Sequence, residues 1–454
     1  MSNFRSLRKL LKDYWKRNRI GLSANYWRVF AATTLSSIGS GISSVALPWI
    51  ASSLTRDPLA ISLVALAGQL PWIIFTLHAG VLIDRLDKKR ILITMDVARG
   101  VLTFLIALLV LLNQNLLGDV TRVNLNLSDT KWPLLILIIA AQLTMGFATV
   151  LADTTSQAVI PSVASKDQLT HANGRIWATI SVSEQFIGPP IGSFLLGIAS
   201  FLPLVFDATS FFLSAGLILL VTAQIGSKRE YSENSPKPTF MADIKEGFNW
   251  LWSRSIFKTL ALSLGAINLV NGLSTGIYIF YAQEILRTSV FQFALLGTGF
   301  AIGGVIGGIL GPRLANKLGE SKSLSISMIG TAIASFITGI TSNWLIVWTV
   351  GIFVAVLITL WNIVTVSFRQ SVIPTEIFGR VNSVYRFFGT GGAPIGSLLG
   401  ALIVSLFMNF VSREVSLRAP FIISAAVTIL IFAVTRNSLS REEFAKAKSE
   451  KLSN

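Results

Sequence analysis

Apolar residues in this chain run in long blocks, without the strict alternation of strands or the heptads of coiled coils. Twelve blocks are legible, at about 29–51, 59–83, 91–113, 132–152, 175–199 and 201–223, then 257–280, 290–312, 321–341, 343–367, 383–408 and 418–436. Each is near the ~20 residues that carry a helix across the hydrocarbon core of a bilayer. In lipid the backbone must satisfy its own hydrogen bonds, so repeated blocks of this length predict a helical bundle. A barrel would show short alternating segments instead. The expected fold class is an all-α membrane protein with twelve transmembrane helices.

Polar stretches frame two groups of six. Residues 1–28 form a basic arm, 29–223 the first six-helix bundle, 224–256 a central loop, 257–436 the second bundle and 437–454 a tail. Within the central loop, "FMADIKEGFNWLWSRS" reads as an amphipathic helix on the membrane surface. The start of the chain lacks an apolar core long enough for a cleavable signal peptide.

Composition agrees. Of 454 residues 52% are hydrophobic and 13% charged, against about 25% charged in soluble domains. The net charge of +16 would suit nucleic acid if it lay on one soluble face. Sorted loop by loop, however, 31 of the 38 Lys and Arg residues fall on the side of the two termini, 6 fall on the other side and Arg99 lies inside a span. That bias places both termini in the cytoplasm of a multi-pass plasma (inner) membrane protein. The bilayer is then the expected partner, and nucleic acid is not. The absence of cysteine excludes disulfides, thiolate metal sites and Cys nucleophiles. No metal or cofactor is expected.

The two sixes repeat each other. "VIPSVASKDQLTHANGR" follows the fourth block and "VIPTEIFGRVNS" the tenth; "PPIGSFLLG" lies in the fifth and "APIGSLLG" in the eleventh; "AGVLIDRL" ends the second and "GGILGPRL" the eighth. Offsets are 228 for Arg85 to Arg313, 213 for Pro161 to Pro374 and 204 for Pro190 to Pro394. Parallel six-span repeats are a transporter architecture, with the substrate site near the midplane where the halves meet.

These residues resemble the major facilitator superfamily along nearly the whole chain. That superfamily carries Gly-x-x-x-Asp-Arg-x-Gly-Arg-Arg between spans 2 and 3. Here "GVLIDRLDKKR" supplies Gly80, Asp84, Arg85, Lys88 and Lys89, followed by Arg90, with Asp87 in place of the second glycine. Gly188, Pro189, Pro190 and Gly192 resemble the antiporter motif of span 5. "VALPWI", "QLPWI" and "VIPSV" resemble the branch of macrolide-efflux proteins and the enterobactin exporter. The resemblance implies alternating-access export of a small molecule in exchange for protons, by a protein expected to act as a monomer. Related exporters often carry Asp where this chain has Ser40. It also implies that span 2 meets span 11 across the halves on the cytoplasmic side, and Asp84 is expected to dock at the start of span 11, near Val381, Asn382 and Ser383. With Pro312 at the repeat position of Asp84, that latch would be one-sided.

Charges within spans are costly and mark function by default. Glu184 lies nine residues beyond Arg175, which is about 13 Å along a helix and near the middle of a ~30 Å core. It is the first candidate for proton coupling, with a packing role as the alternative. Asp207 is the second, and favours a structural role. Asp96 and Arg99 read as a local i,i+3 pair. By the resemblance, spans 1, 4, 7 and 10 surround the central cavity, where Ser36, Ser40, Gln142, Asn268, Asn271, Trp361 and Asn362 are candidate contacts. Such a lining, with no arginine expected deep, suits a bulky amphipathic solute of drug, macrolide or siderophore type, cationic ones included. Gly303, Gly304, Gly307 and Gly308 read as helix packing.

Other classes fit less well. The chain has no Walker loop. Its two histidines, His78 and His171, have no evident catalytic partner, which disfavours a membrane enzyme. A lysophospholipid transporter of the same superfamily stays open as an alternative.

Overall fold

The computed structural model describes residues 22–124, 127, 129–165, 168–222, 240–374 and 377–452; the side chains of residues 76–81, 84, 85, 170, 240–243, 390 and 450–452 are outside that description. Among the described residues the regular elements are helices. Ten are long and apolar enough to cross a membrane. One of these, Val290–Ile340, is two spans joined at Gly319, whose φ of +75° breaks the helix. The remaining span is assembled from Leu169–Val182, a π-helical turn Ser183–Ile187 and Gly188–Ile198. The total is twelve.

Spans 1–4 are Ala24–Leu54, Pro58–Arg85, Lys88–Leu112 and Trp132–Val163. Span 5 is the three-part helix and span 6 is Leu202–Leu219. Span 7 is Ser255–Thr275, continued by Tyr278–Phe280 and a second π turn, Tyr281–Ile285. Spans 8 and 9 lie either side of Gly319; spans 10, 11 and 12 are Trp344–Val372, Phe378–Phe407 and Arg413–Thr435.

Three boundaries differ from the sequence reading. Span 1 starts at Ala24, inside the expected arm, because Ser23 caps it by accepting from the Tyr26 amide. Span 4 runs on to Val163, past its expected end at 152, and so takes in Asp153. The expected C-terminal tail holds a helix, Arg441–Leu452. Its Phe444 is buried edge-on against Phe368, and Lys448 pairs with Glu320. The amphipathic segment is helical over Phe240–Trp252. It sits on the start of span 11, where Glu246 pairs with Arg380 at 2.6 Å.

Residues 204 apart do the same packing job in both halves. A β-carbon at Gly192 would lie 2.5 Å from the Ile42 carbonyl oxygen, and one at Gly396 would press closer still on that of Leu269. Gly188 meets Gly41 in the same way at 2.5 Å, and Gly392 meets the Gly265 carbonyl. Small residues let two backbones touch where lipid gives no hydrophobic drive. The repeated glycines therefore build the span 1–span 5 seam and its copy between spans 7 and 11. Gly303 and Gly307 likewise press on span 10, at Ile352 and Thr359, whereas Gly304 and Gly308 face open space.

The halves are joined at one end and parted at the other. One buried core combines Trp49, Leu54 and Ile61 of the first half with Phe280, Tyr281 and Ala401 of the second. On the face that carries both chain ends, the cores are separate. One contains Tyr26, Val159 and Ile218, and the other contains Phe257, Phe368 and Tyr385. The halves thus share a core at the face of the span 1–2 loop, whereas among the described residues their cores stay separate at the terminal face.

Candidate transport cavity

A cavity of about 550 Å³ lies between the halves. Spans 1 to 5 and spans 7 and 8 line it, through Ser36, Ser40, Trp72, Arg99, Asp153, Glu184, Tyr278 and Phe293 among others. Tyr278 and Phe293 also wall an adjoining space of about 240 Å³. With Trp49, whose ring lies 5.6 Å from that of Phe293, they close the cavity toward the joined end.

Glu184 is placed by backbone chemistry. Pro189 and Pro190 have no N–H, so the carbonyls of Gln185 and Phe186 lose their i+4 donors. The chain answers with a π turn, in which the Gly188 amide donates to Ser183, five residues back. Such bulges are frequent at functional sites. The extra residue re-aims the wall of the cavity at Glu184, half-buried against span 1. At the repeat position, 204 residues on, stands Phe388, inside a continuous helix. The acid is thus peculiar to the first half.

Two charged residues of this cavity depart from the sequence reading. Asp153 lies beyond the end that hydropathy assigns to span 4, because the polar run after Leu151 hides its helix. Arg99 reads from sequence as part of a local pair only, with no arginine expected deep. Both line the cavity. Arg99 does pair with Asp96, which also accepts from Ser214 at 2.6 Å. The guanidinium lies 4.3 Å over the Phe211 ring, and its Nε has no partner.

The other candidates divide. Gln142 lines the space of about 240 Å³ and another of about 260 Å³ beside Ser40. Asp207 borders the latter but is fully buried, accepting from Ser43 and packed against Gly39. Asn268, Asn271, Trp361 and Asn362 are brought together, but in a separate cavity of about 140 Å³ within the second half. None of them is among the residues lining the cavity of Glu184, contrary to expectation. Trp361 is drawn into the buried core of that half, and the Asn268 amide is held 2.6 Å from the Gly389 carbonyl.

Gly80, Asp84 and Arg85 of the span 2–3 motif, like His78, fall in the helix of span 2, but their side chains lie outside the description. Its remaining members are specific. Asp87, the departure from the family pattern, caps span 3 by accepting from the amides of Lys89 and Arg90 at 2.8 and 3.2 Å. Lys89 donates to the carbonyls of Leu219 and Val221 at 2.9 and 2.7 Å, a cation on the C-terminal end of span 6. Lys88 is half-buried and Arg90 exposed. Asn382, the expected docking point for Asp84, accepts from Arg369 at 2.5 Å.

At the joined end lies a polar cluster that sequence reading missed. Glu284, in the second π turn, is held by Arg413 at 2.7 Å and faces Arg56 at 3.7 Å. Arg56 donates to Gln283 at 2.7 Å, and Gln283 to Ser52 at 2.8 Å. Arg56 and Ser52 belong to the first half, the others to the second. Single charges in short loops gave no signal of pairing across the repeat.

Twelve helices in two similar six-helix halves, with a cavity of charged and aromatic residues between them, are the architecture of a major facilitator transporter. The chain belongs to the family of transmembrane secretion effectors, which it matches over residues 22–451. Among curated relatives, the multidrug efflux pump Tap of Mycobacterium tuberculosis is 24% identical over 237 residues, 52% of each chain. That of Mycolicibacterium fortuitum is 25% identical over 258 residues, 55% of this chain and 56% of the relative. The matches span about half the length of these relatives. Solved structures share the fold. The nucleoside transporter NupG superposes with a TM-score of 0.68 at 11% identity, covering 92% of this chain and 100% of the other. A bacterial homologue of the iron transporter ferroportin, in an inward-facing state, gives 0.67 at 17%, covering 92% and 99%.

Proposed function

We propose that this protein exports bulky amphipathic cations across the inner membrane in exchange for protons, with the terminal face in the cytoplasm. The charge bias of the loops supports that orientation, under which the present state is open inward. The observation that carries the exchange is Glu184, aimed by a π turn into the cavity between the halves. A carboxylate there can hold either a proton or a cationic solute, and competition between them couples the two fluxes. The relatives named as multidrug efflux pumps support drugs as the substrates; the cationic preference rests on Glu184. Asp207, buried and bonded to Ser43, serves packing of span 6 on span 1 in this reading. Asp84, at the end of span 2, is in this reading the latch that closes the terminal face.

The experiment is uphill export in proteoliposomes with an imposed proton gradient, against a panel of drugs, siderophores and lysophospholipids. Glu184→Gln is expected to abolish uphill export while keeping downhill exchange. Uphill export by that variant at the normal rate overturns the assignment. Transport of lysophospholipids alone would favour the lipid alternative.

A further inference from the structure

Three acids and one base gather around this cavity: Asp96, Arg99, Asp153 and Glu184. Arg99 is the one Lys or Arg side chain among the described residues that line it. It is pinned on the side of spans 3 and 6 by the Asp96 carboxylate and the Phe211 ring. Asp96 is itself buried and fixed by Ser214. The pair is neutral, which leaves Asp153 and Glu184. Among the described residues neither has an ion pair with a base. Both carboxylates line the same cavity as Arg99.

We propose that Asp96 withholds Arg99 from these two carboxylates, so that Asp153 and Glu184 together take two positive charges at once. Two like charges in a partly desolvated site cannot both stay ionised unless cations meet them. The charges can be one dication, or one monocation with one proton on the other carboxylate. Asp153 is then a specificity residue, favouring ligands with two positive centres. Asp96 is a positioning residue that acts through Arg99. The inference rests on the reading of the cavity as a cation site, and adds to it a second acid and a charge count.

The test compares ethidium, a monocation, with propidium, which adds a quaternary ammonium to the same ring system. Binding to purified protein in nanodiscs is followed by ligand fluorescence, with proton release read by a dye in weak buffer. The wild type should prefer propidium by about tenfold or more, since each close charge pair contributes on the order of kcal/mol. It should also release more protons to propidium than to ethidium. Asp153→Asn should erase both differences while still binding ethidium, and Asp153→Glu should keep them. Asp96→Asn frees Arg99 and should lower the propidium preference; an unchanged ratio overturns the role of Asp96. Where that variant fails to fold, the Asp153 pair decides. An unchanged preference in Asp153→Asn overturns the two-charge site but leaves Glu184 in place. Failure of the wild type to bind either cation overturns the cation reading itself, whereas proton coupling is judged separately by the Glu184→Gln export assay.

Discussion

Arg413 grips Glu284 with two parallel hydrogen bonds, from Nε to Oε2 at 2.7 Å and from Nη2 to Oε1 at 2.9 Å, while the same Nη2 reaches the Arg56 carbonyl of the other half at 2.8 Å. Two guanidiniums thus converge on one carboxylate, with the Phe280 ring 5.4 Å from Arg56 and 5.3 Å from Arg413. The cluster lies where the halves are joined, so it must break when that end opens. Removing one partner of a buried ion pair costs about 3–5 kcal/mol. At ~1.4 kcal/mol per decade, that is enough to move a two-state equilibrium by two orders of magnitude or more.

Glu284→Gln should therefore shift the protein toward opening at the joined end. The chain has no cysteine, so a single reporter at Gln69, which lines the space beneath the cluster, gives a clean signal. Its labelling by an impermeant maleimide applied from that side should rise at least several-fold when combined with Glu284→Gln. An unchanged rate would show that the aromatic layer of Trp49, Tyr278 and Phe293 alone sets closure.

Much of the fold was legible because its signals are local or repeated. Block length marked the spans, and "PPIGSFLLG" against "APIGSLLG" marked a seam that both halves build from Gly192 and Gly396. The site was less legible. Glu184 stood out as a charge in a greasy span, and the prolines behind it explain why it faces the cavity. Asp153 was hidden because hydropathy falls in the last turns of span 4, although the helix continues. Asn268 and Trp361 look like cavity residues by type, but a polar side chain on a span can equally bond a neighbouring helix. The Arg56–Glu284–Arg413 cluster needs a loop, a π turn and a helix start drawn from both halves, so only the assembled structure reveals it.

The glycines of span 8 offer a matched pair. A β-carbon at Gly303 would collide with the Ile352 carbonyl oxygen, whereas one at Gly304 meets nothing within 4 Å. Gly303→Ala should force spans 8 and 10 apart at a cost of about 1–3 kcal/mol. Gly304→Ala should stay within about 0.5 kcal/mol of the wild type. Thermal unfolding in detergent, followed by tryptophan fluorescence, separates the two. Equal melting temperatures would mean the seam relaxes without strain.

Docking of the C-terminal helix should depend on pH through Glu320, at the break between spans 8 and 9. Partial burial works to raise its pKa, but the hydrogen bond and charge of Lys448 outweigh that and hold it below the ordinary glutamate value. A carboxyl with a depressed folded pKa contributes stability that is present above its unfolded pKa, and this is lost as pH falls through the folded one. A spin label at Ser449 should thus be immobile at neutral pH and gain mobility only below about pH 4.5. Lys448→Ala should give the mobile spectrum at every pH. A label that stays immobile in Lys448→Ala would assign docking to Phe444 alone.

The proline pair behind Glu184 gives a test of position that leaves the carboxylate untouched. With Pro189→Ala and Pro190→Ala, the amides of residues 189 and 190 can again donate to Gln185 and Phe186. The π turn should then relax toward α-helix, because the i→i−4 ladder has no missing donors. Losing one residue of bulge rotates the helical turns before it by about 100° relative to the turns after it. Gly188 and Gly192 pack so tightly on span 1 that a β-carbon at either would lie 2.5 Å from its backbone, so the rotation should fall on the Glu184 side. The acid would then leave the cavity wall. Labelling of Glu184 by an apolar carbodiimide, read by mass spectrometry, should drop several-fold, and uphill export should fall as it does in Glu184→Gln. Stability should rise or hold, since two prolines leave a helix interior. A double variant that labels and exports like the wild type would show that the π turn persists without the prolines, and that the packing of Gly41 on Ser183 and Glu184 holds it in place.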